Sequence, residues 1–277
     1  MRSTGKRSNI RNILGFTLLW VACGMISSGV RPVRALDVFT LWRQPELPLR
    51  MIEGAWADYR TQVMVGGRRD EGLTRIICLD RANGSDDETW LLELIPLDEM
   101  PDGSFVPVPG EGARLRLSRT MLNRQGHLLD AVVEVEKWRD GIPEKISEDQ
   151  LRNDPLVSAS LDTEFTPDST VRKDPTNRVV SGTQYLCDQF IMSAADTQSA
   201  DLPAGRMIQT TTREITAAVH EEIPFLGLAF AAERVRSESK LDPPSRKFSA
   251  PPPQVRVEVM ELLGFGYHAK PVLGPRD

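Results

Sequence analysis

The sequence predicts a mainly β protein built on one open antiparallel sheet, with a few short helices. From residue 50 onward, apolar residues recur with a period of two in segment after segment. That is the pattern of strands with one buried and one wet face. Between these segments stand dipeptides such as Gly66-Gly67, Asn83-Gly84, Pro109-Gly110 and Asp140-Gly141. Such pairs favour tight turns, so consecutive strands are expected to pair as an antiparallel meander. The composition, 40% apolar and 26% charged over 277 residues, belongs to a folded globular chain.

The first 35 residues read as a signal peptide and residues 36–277 as a single β-rich domain. Arg2, Lys6, Arg7 and Arg11, with no acid among them, precede the uncharged stretch 13–30, ILGFTLLWVACGMISSGV. A basic segment followed by an apolar one is the mark of an export signal. Val33-Arg34-Ala35 offers a cleavage site, although Arg31 and Arg34 are unusual so close to one. Two alternatives stay open. Trp20-Val21-Ala22-Cys23 resembles a lipobox, which would make Cys23 a lipidated terminus. Stretch 13–30 is also near the lower length limit of a membrane span and would serve as an uncleaved anchor. Every version exports residues 36–277, so the expected place is periplasmic or secreted, with membrane contact only through the N-terminal segment. Loss of the signal removes six of 34 bases and none of 39 acids, leaving a net charge of −11. That acidic balance, and a pI near 5.4, speak against a nucleic-acid partner.

The elements follow in order. Residues 39–58 suit a short helix, and 56–65 and 73–80 suit strands. Trp90, Leu92 and Leu94 share one strand face, with Glu93 on the other. Leu115 and Leu117 alternate with Arg114, Arg116 and Ser118. Ala131, Val133 and Val135 alternate with Glu134 and Glu136. Ser147 and Gln150 stand at the two positions of a capping box and predict a helix start. Residues 164–177, rich in Thr, Pro and Asp, read as a loop. Strands are expected at 178–192 and 228–238, while 206–220 fits either strand or helix. The proline-rich loop at 243–253, with Pro243-Pro244 and Pro251-Pro252-Pro253, cannot pair inside a sheet and suits a spacer or an edge-hugging arm. In the last strand Val255, Val257 and Val259 alternate with Arg256 and Glu258, and the strand runs on to Gly264. No repeat of fixed period supports a propeller or solenoid.

Candidate chemistry is sparse. Cys78 and Cys187 would remain after export, an even number in an oxidising compartment. A bridge between them would close a loop worth roughly 4–5 kcal/mol in the loop-entropy model. Two separate buried thiols are the equal alternative. Ser237-Glu238-Ser239-Lys240 matches the serine–lysine pattern of penicillin-recognising enzymes, but its companion motifs are missing. His220-Glu221-Glu222-Ile223-Pro224 begins like a zinc helix, yet Pro224 replaces the second histidine and breaks the helix. Asp86-Asp87-Glu88 lacks the spacing and glycine of a calcium loop. Gly264-Phe265-Gly266-Tyr267 lacks the context of a dinucleotide fingerprint. No catalytic residue, cofactor or metal ligand is identified.

The segment 179–239 contains VVSGTQYLCDQF and RMIQTTTREITAAVHEEIPFLGLAFAAERVRSES. These carry Gly-x-x-Tyr-x-Cys, two strand-like runs and Ile-Pro-x-x-Gly. The pattern resembles bacterial exported proteins of the lipoprotein-carrier type and their uncharacterised relatives. It covers about a fifth of the chain, and the chain is longer than typical carriers. The resemblance implies a curved antiparallel half-barrel whose concave face holds an apolar or lipid-like ligand; it transfers no binding residue. Leu115, Leu117, Val133 and Val135 would then line a cavity, or else fill a dry core. Three functions are expected from different classes. The first is an exported envelope protein binding a lipid or lipoprotein ligand. The second is an envelope hydrolase whose site unites His127, His220 or His268 with a carboxylate and a hydroxyl. The third is an interaction module using edge strands and the proline arm.

Overall fold

The computed structural model of the protein describes residues 41, 44–47, 50–79, 89–119, 128–147, 150, 165–202, 205–242 and 251–274. The signal segment 1–35 with Cys23, the acidic run 86–88, His127 and residues 243–250 of the proline loop lie outside them. Strands take up most of the rest: β1 (Trp56–Val65), β2 (Arg68–Leu79), β3 (Thr89–Glu99), β4 (Phe105–Pro107), β5 (Gly112–Ser118), β6 (Val132–Arg139), β7 (Ile142–Ile146), β8 (Ser169–Val180), β9 (Thr183–Leu202), β10 (Gly205–Val219), β11 (Leu228–Asp242) and β12 (Gln254–Gly266).

All twelve belong to one open antiparallel sheet, ordered β7-β6-β5-β3-β2-β1-β12-β11-β10-β9-β8, with β4 beside β3. The chain enters in mid-sheet at β1 and meanders outward to β7 at one edge. It resumes at β8 on the other edge and meanders back to β12, which pairs with β1. The expected meander is therefore two meanders joined along the first and last strands. Tight turns fall at the dipeptides that lie in the described residues; Asn83-Gly84 is outside them. Gly66-Gly67 joins β1 to β2 and Asp140-Gly141 joins β6 to β7, all four residues at positive φ.

Both edges carry proline. Pro143 lies in β7. Pro175 lies in β8, inside a register shift between Lys173 and Thr176. The expected loop over 164–177 is thus corrected, since 169–177 is edge strand. A residue without an N–H is tolerated where no neighbouring strand needs that donor, and at bulges.

The expected helices are not confirmed. Leu128–Ala131 forms one four-residue turn, α1. Segment 206–220 is strand up to Val219, and β1 already begins at Trp56. The capping box does form: Ser147 N–H donates to Gln150 Oε1 at 2.8 Å, and Gln150 N–H to Ser147 Oγ at 3.2 Å. Residues 151–164, where its helix would run, are outside the described chain.

Each face of the sheet carries its own apolar cluster. On the inner face Ala57, Ile76, Cys78, Leu92, Leu115, Leu117, Val135, Met192, Ile215, Ala231, Met260 and Leu262 join one large core. On the outer face Ile77, Leu79, Ile95 and Trp138 gather around Leu273 of the C-terminal segment. Beyond the end of β10 the β8–β9 hairpin bends over β11 and β12. There Ser181 Oγ–H donates to the Leu263 carbonyl at 2.8 Å, and Arg178 stacks on Phe230 at 3.9 Å.

Candidate functional site

Leu115 and Leu117 on β5 and Val135 on β6 lie in the inner core, 3%, 0% and 7% exposed. Val133 does not join them and is 58% exposed. The β5–β6 ladder gives the reason. Arg116 pairs with Glu134 and Leu117 with Val132, so Val133 is the extra residue of a β-bulge and leaves the period-two pattern.

Over this face lie side chains from outside the sheet: Leu41, Leu47, Phe165, Ile223, Phe225 and Leu226, all in the same core. Two short segments supply most of this cover. Residues 50 and 51, with 41 and 44–47 before them, are tied to the β10–β11 connection by a β-bridge between Arg50 and Phe225 and by the Arg50 guanidinium, which donates to the Glu221 carbonyl. Arg50 N–H donates to the Phe225 carbonyl at 2.6 Å, and Phe225 N–H to the Arg50 carbonyl at 3.0 Å. Phe225 is 2% exposed and held at φ 63°, a conformation that bulky residues seldom adopt unless their surroundings impose it. Gln44 Nε2 donates to the Phe165 carbonyl at 2.6 Å and fixes the other end of the cover. The Ile-Pro-x-x-Gly run thus turns Ile223, Phe225 and Leu226 into the core.

Beside the apolar region the inner face holds four charges. Glu233 on β11 and Glu258 on β12 are direct cross-strand partners, and both side chains are 1% exposed. Like charges in that position repel, and each has its own arginine. Arg213 of β10 donates through Nε to Glu233, and Arg256 donates through a terminal nitrogen to Glu258. Both arginines stay 16% exposed. Arg213 also stacks on Phe165 at 4.7 Å. Glu233 Oε2 is buried without a hydrogen-bond partner. In the adjoining row of the same face, Ala231 and Met260 belong to the apolar core. On β11 and β12 the face therefore passes from apolar to charged over two residues, while on β10 and β9 Ile215 and Met192 carry the apolar core into the same row.

Alternation alone misses this quartet. It assigns Val255, Val257 and Val259 to the buried face, whereas Val255 is 40% exposed and Glu258 is buried. A signal was present: Glu258 is in phase with Met260 and Leu262, and Glu233 with Ala231 and Val235. Glu93, expected on a wet face, is likewise fully buried.

Cys78 and Cys187 are free, buried thiols, so of the two equal expectations the structure has the separate thiols and not the bridge. Cys78 lies on β2 and Cys187 on β9, with β1, β12, β11 and β10 between them in the sheet. Each fills the space of a small apolar residue in the core. Burial pushes the Cys78 thiol up to about 12, and burial raises that of Cys187 as well.

His220 accepts the Glu222 N–H at Nδ1, 3.2 Å away, and meets the Tyr185 ring edge-on at 5.1 Å. It takes part in a turn rather than in a histidine–carboxylate–hydroxyl cleft. Among the described residues, no group of three or more His, Cys, Asp or Glu is placed to hold a metal ion. No helix among them is long and apolar enough to cross a membrane.

Comparison with solved structures finds remote likenesses. A DUF1329 family protein from Desulfovibrio piger is 11% identical with a TM-score of 0.26, covering 83% of this chain and 91% of its own. A protein from Bacteroides fragilis, assigned as exported and with a YmcC-like fold, is 8% identical with a TM-score of 0.21, covering 78% of this chain and 98% of its own. No family model matches the sequence, and no curated protein matches it.

Proposed function

We propose that the protein is an exported component of a bacterial envelope that binds an amphiphile on the inner face of a bent, half-barrel sheet, without catalysing a reaction. The observation that carries this reading is the abrupt junction on that face. Ala231 and Met260 of the apolar core adjoin a charged quartet, Arg213, Glu233, Arg256 and Glu258, and Leu115, Leu117 and Val135 lie farther across the same core on β5 and β6. A lipid-like ligand has the same division between tail and head. The cover supports the reading too. Residues 41, 44–47 and 50–51 and the segment 220–227 are short pieces joined by one β-bridge and the Arg50–Glu221 hydrogen bond, and local opening of such pieces costs less than opening a second sheet. Export rests on the basic and apolar character of the first 35 residues.

Native mass spectrometry of the protein purified from its own envelope tests the proposal. The expected result is a retained amphiphile whose occupancy falls in the Arg256→Met variant. A protein that leaves its envelope empty, and that takes up no lysophospholipid from micelles, would sink it.

A further inference from the structure

Glu233 of β11 has one satisfied and one orphaned carboxylate oxygen. Its Oε1 accepts from Arg213, whereas Oε2 has no hydrogen-bond partner among the described residues, and the side chain is 1% exposed. A buried acceptor left in that state is costly, so the atom points to a missing donor. Charge decides which kind. Glu233 and Glu258 stand beside Arg213 and Arg256, and these four side chains sum to zero. An ammonium head would leave one charge uncancelled within the quartet, at a place where ions are desolvated. A quaternary zwitterion such as phosphocholine brings no N–H or O–H donor for Oε2. A hydroxyl brings the donor and no charge.

The rows outward of Glu233 suit a head with several hydroxyls. Val235 lies between Arg213 on β10 and Arg256 on β12. Beyond it Thr211, Ser237 and Gln254 form a row of uncharged polar groups across the same three strands. Thr211 Oγ1 and Ser237 Oγ are 3.2 Å apart and share one hydrogen bond, which leaves the pair a further donor and several lone pairs. Gln209 and Ser239 are the next such pair. From Glu233 to Ser237 the strand advances about 13 Å. A lone ammonium or carboxylate is too short to use that length, and a sugar is not. The stretch also reaches water: Arg213 and Arg256 are 16% exposed, Thr211 and Ser237 half-buried and Gln254 exposed. A head group can approach Glu233 from this end.

On the amphiphile reading above, on which this inference rests, we propose that the head of the ligand is an uncharged sugar. Its deepest hydroxyl donates to Glu233 Oε2, and its outer hydroxyls meet Thr211, Ser237 and Gln254.

Isothermal titration of the full-length chain with dodecyl maltoside, dodecylammonium chloride and dodecylphosphocholine, each below its micelle concentration, holds the tail constant and varies the head. Dodecyl maltoside should bind at least about tenfold more tightly than either of the others. Glu233→Gln should lower its affinity about tenfold and leave that of dodecylphosphocholine unchanged. Thr211→Val with Ser237→Ala leaves the four charges in place, which keeps the test open should Glu233→Gln fail to fold. That double variant should weaken dodecyl maltoside binding at least about threefold. Equal affinity for the three heads, or a preference for a charged one, overturns the sugar and leaves the amphiphile reading standing. A maltoside preference that survives the substitutions overturns its placement at the quartet. Binding of none of the three overturns the sugar and the amphiphile together.

Discussion

Four side chains decide the character of the inner face. Arg213 and Glu233 are a buried pair whose worth depends on being complete. Taking both out of water costs several kcal/mol per ion, and the pairing returns most of it. Removing one partner leaves the other charge buried and alone. Arg213→Met should therefore destabilise the protein by about 3–5 kcal/mol, whereas Arg213→Met with Glu233→Leu should lie near neutral. Equilibrium unfolding in urea reads both. If the single and double variants lose equal stability, the pair is not coupled and the quartet is only incidental polar surface. Glu233 makes the case sharper because its Oε2 already lacks a hydrogen bond.

The strands show which features a sequence carries by itself. β1 coincides with the expected 56–65, and β10, β11 and β12 start within a residue or two of the expected 206, 228 and 255. Period-two burial is a local pattern, and a strand that buries one face must display it. β7 and β8 escaped for a physical reason. Their burial is slight, so alternation has little to act on, and Pro143 and Pro175 argue against pairing. Those prolines mark edges rather than loops, a distinction that depends on which strands lie beside them. The quartet escaped for a related reason: a glutamate in phase with apolar neighbours looks solvated until its arginine arrives from another strand. The edges also carry a prediction. β7 presents Ile142 at 70% exposure beside Pro143, Glu144 and Lys145, charges and a proline that blunt an open edge. Replacing Pro143 and Lys145 together with valine should leave the monomer fold intact but make it aggregate on mild warming, followed by light scattering. Unchanged solubility would mean that something else protects this edge.

At the scale of the molecule, the two meanders share one core. Tyr59 and Cys78 come from the first, Met192, Ile215 and Met260 from the second, and all belong to the same cluster. The ladder that joins them, β1 with β12, pairs residues as distant as Ala57 and Phe265. Neither half can keep its inner face dry without the other, so unfolding should be a single transition. That shared core also fixes the response to alkali. Burial pushes the Cys78 thiol from 9.0 up to about 12 and raises the Tyr59 phenol above its ordinary 10.0, its hydroxyl donating to the Leu228 carbonyl at 3.2 Å. Below pH 9 the folded and unfolded chains both keep these protons, and the contribution to stability is constant. From pH 9 upward the unfolded chain releases the thiol proton while the folded chain retains it. Stability must then fall, by up to about 1.4 kcal/mol per pH unit for each such group. The phenol adds its share from pH 10. Cys187, also raised by burial, adds to the thiol share. Urea unfolding across this range should therefore show an alkaline decline that weakens in Cys78→Ala with Cys187→Ala and weakens further on adding Tyr59→Phe. An unchanged decline would place these groups in contact with water, and the common core of the two meanders would not hold.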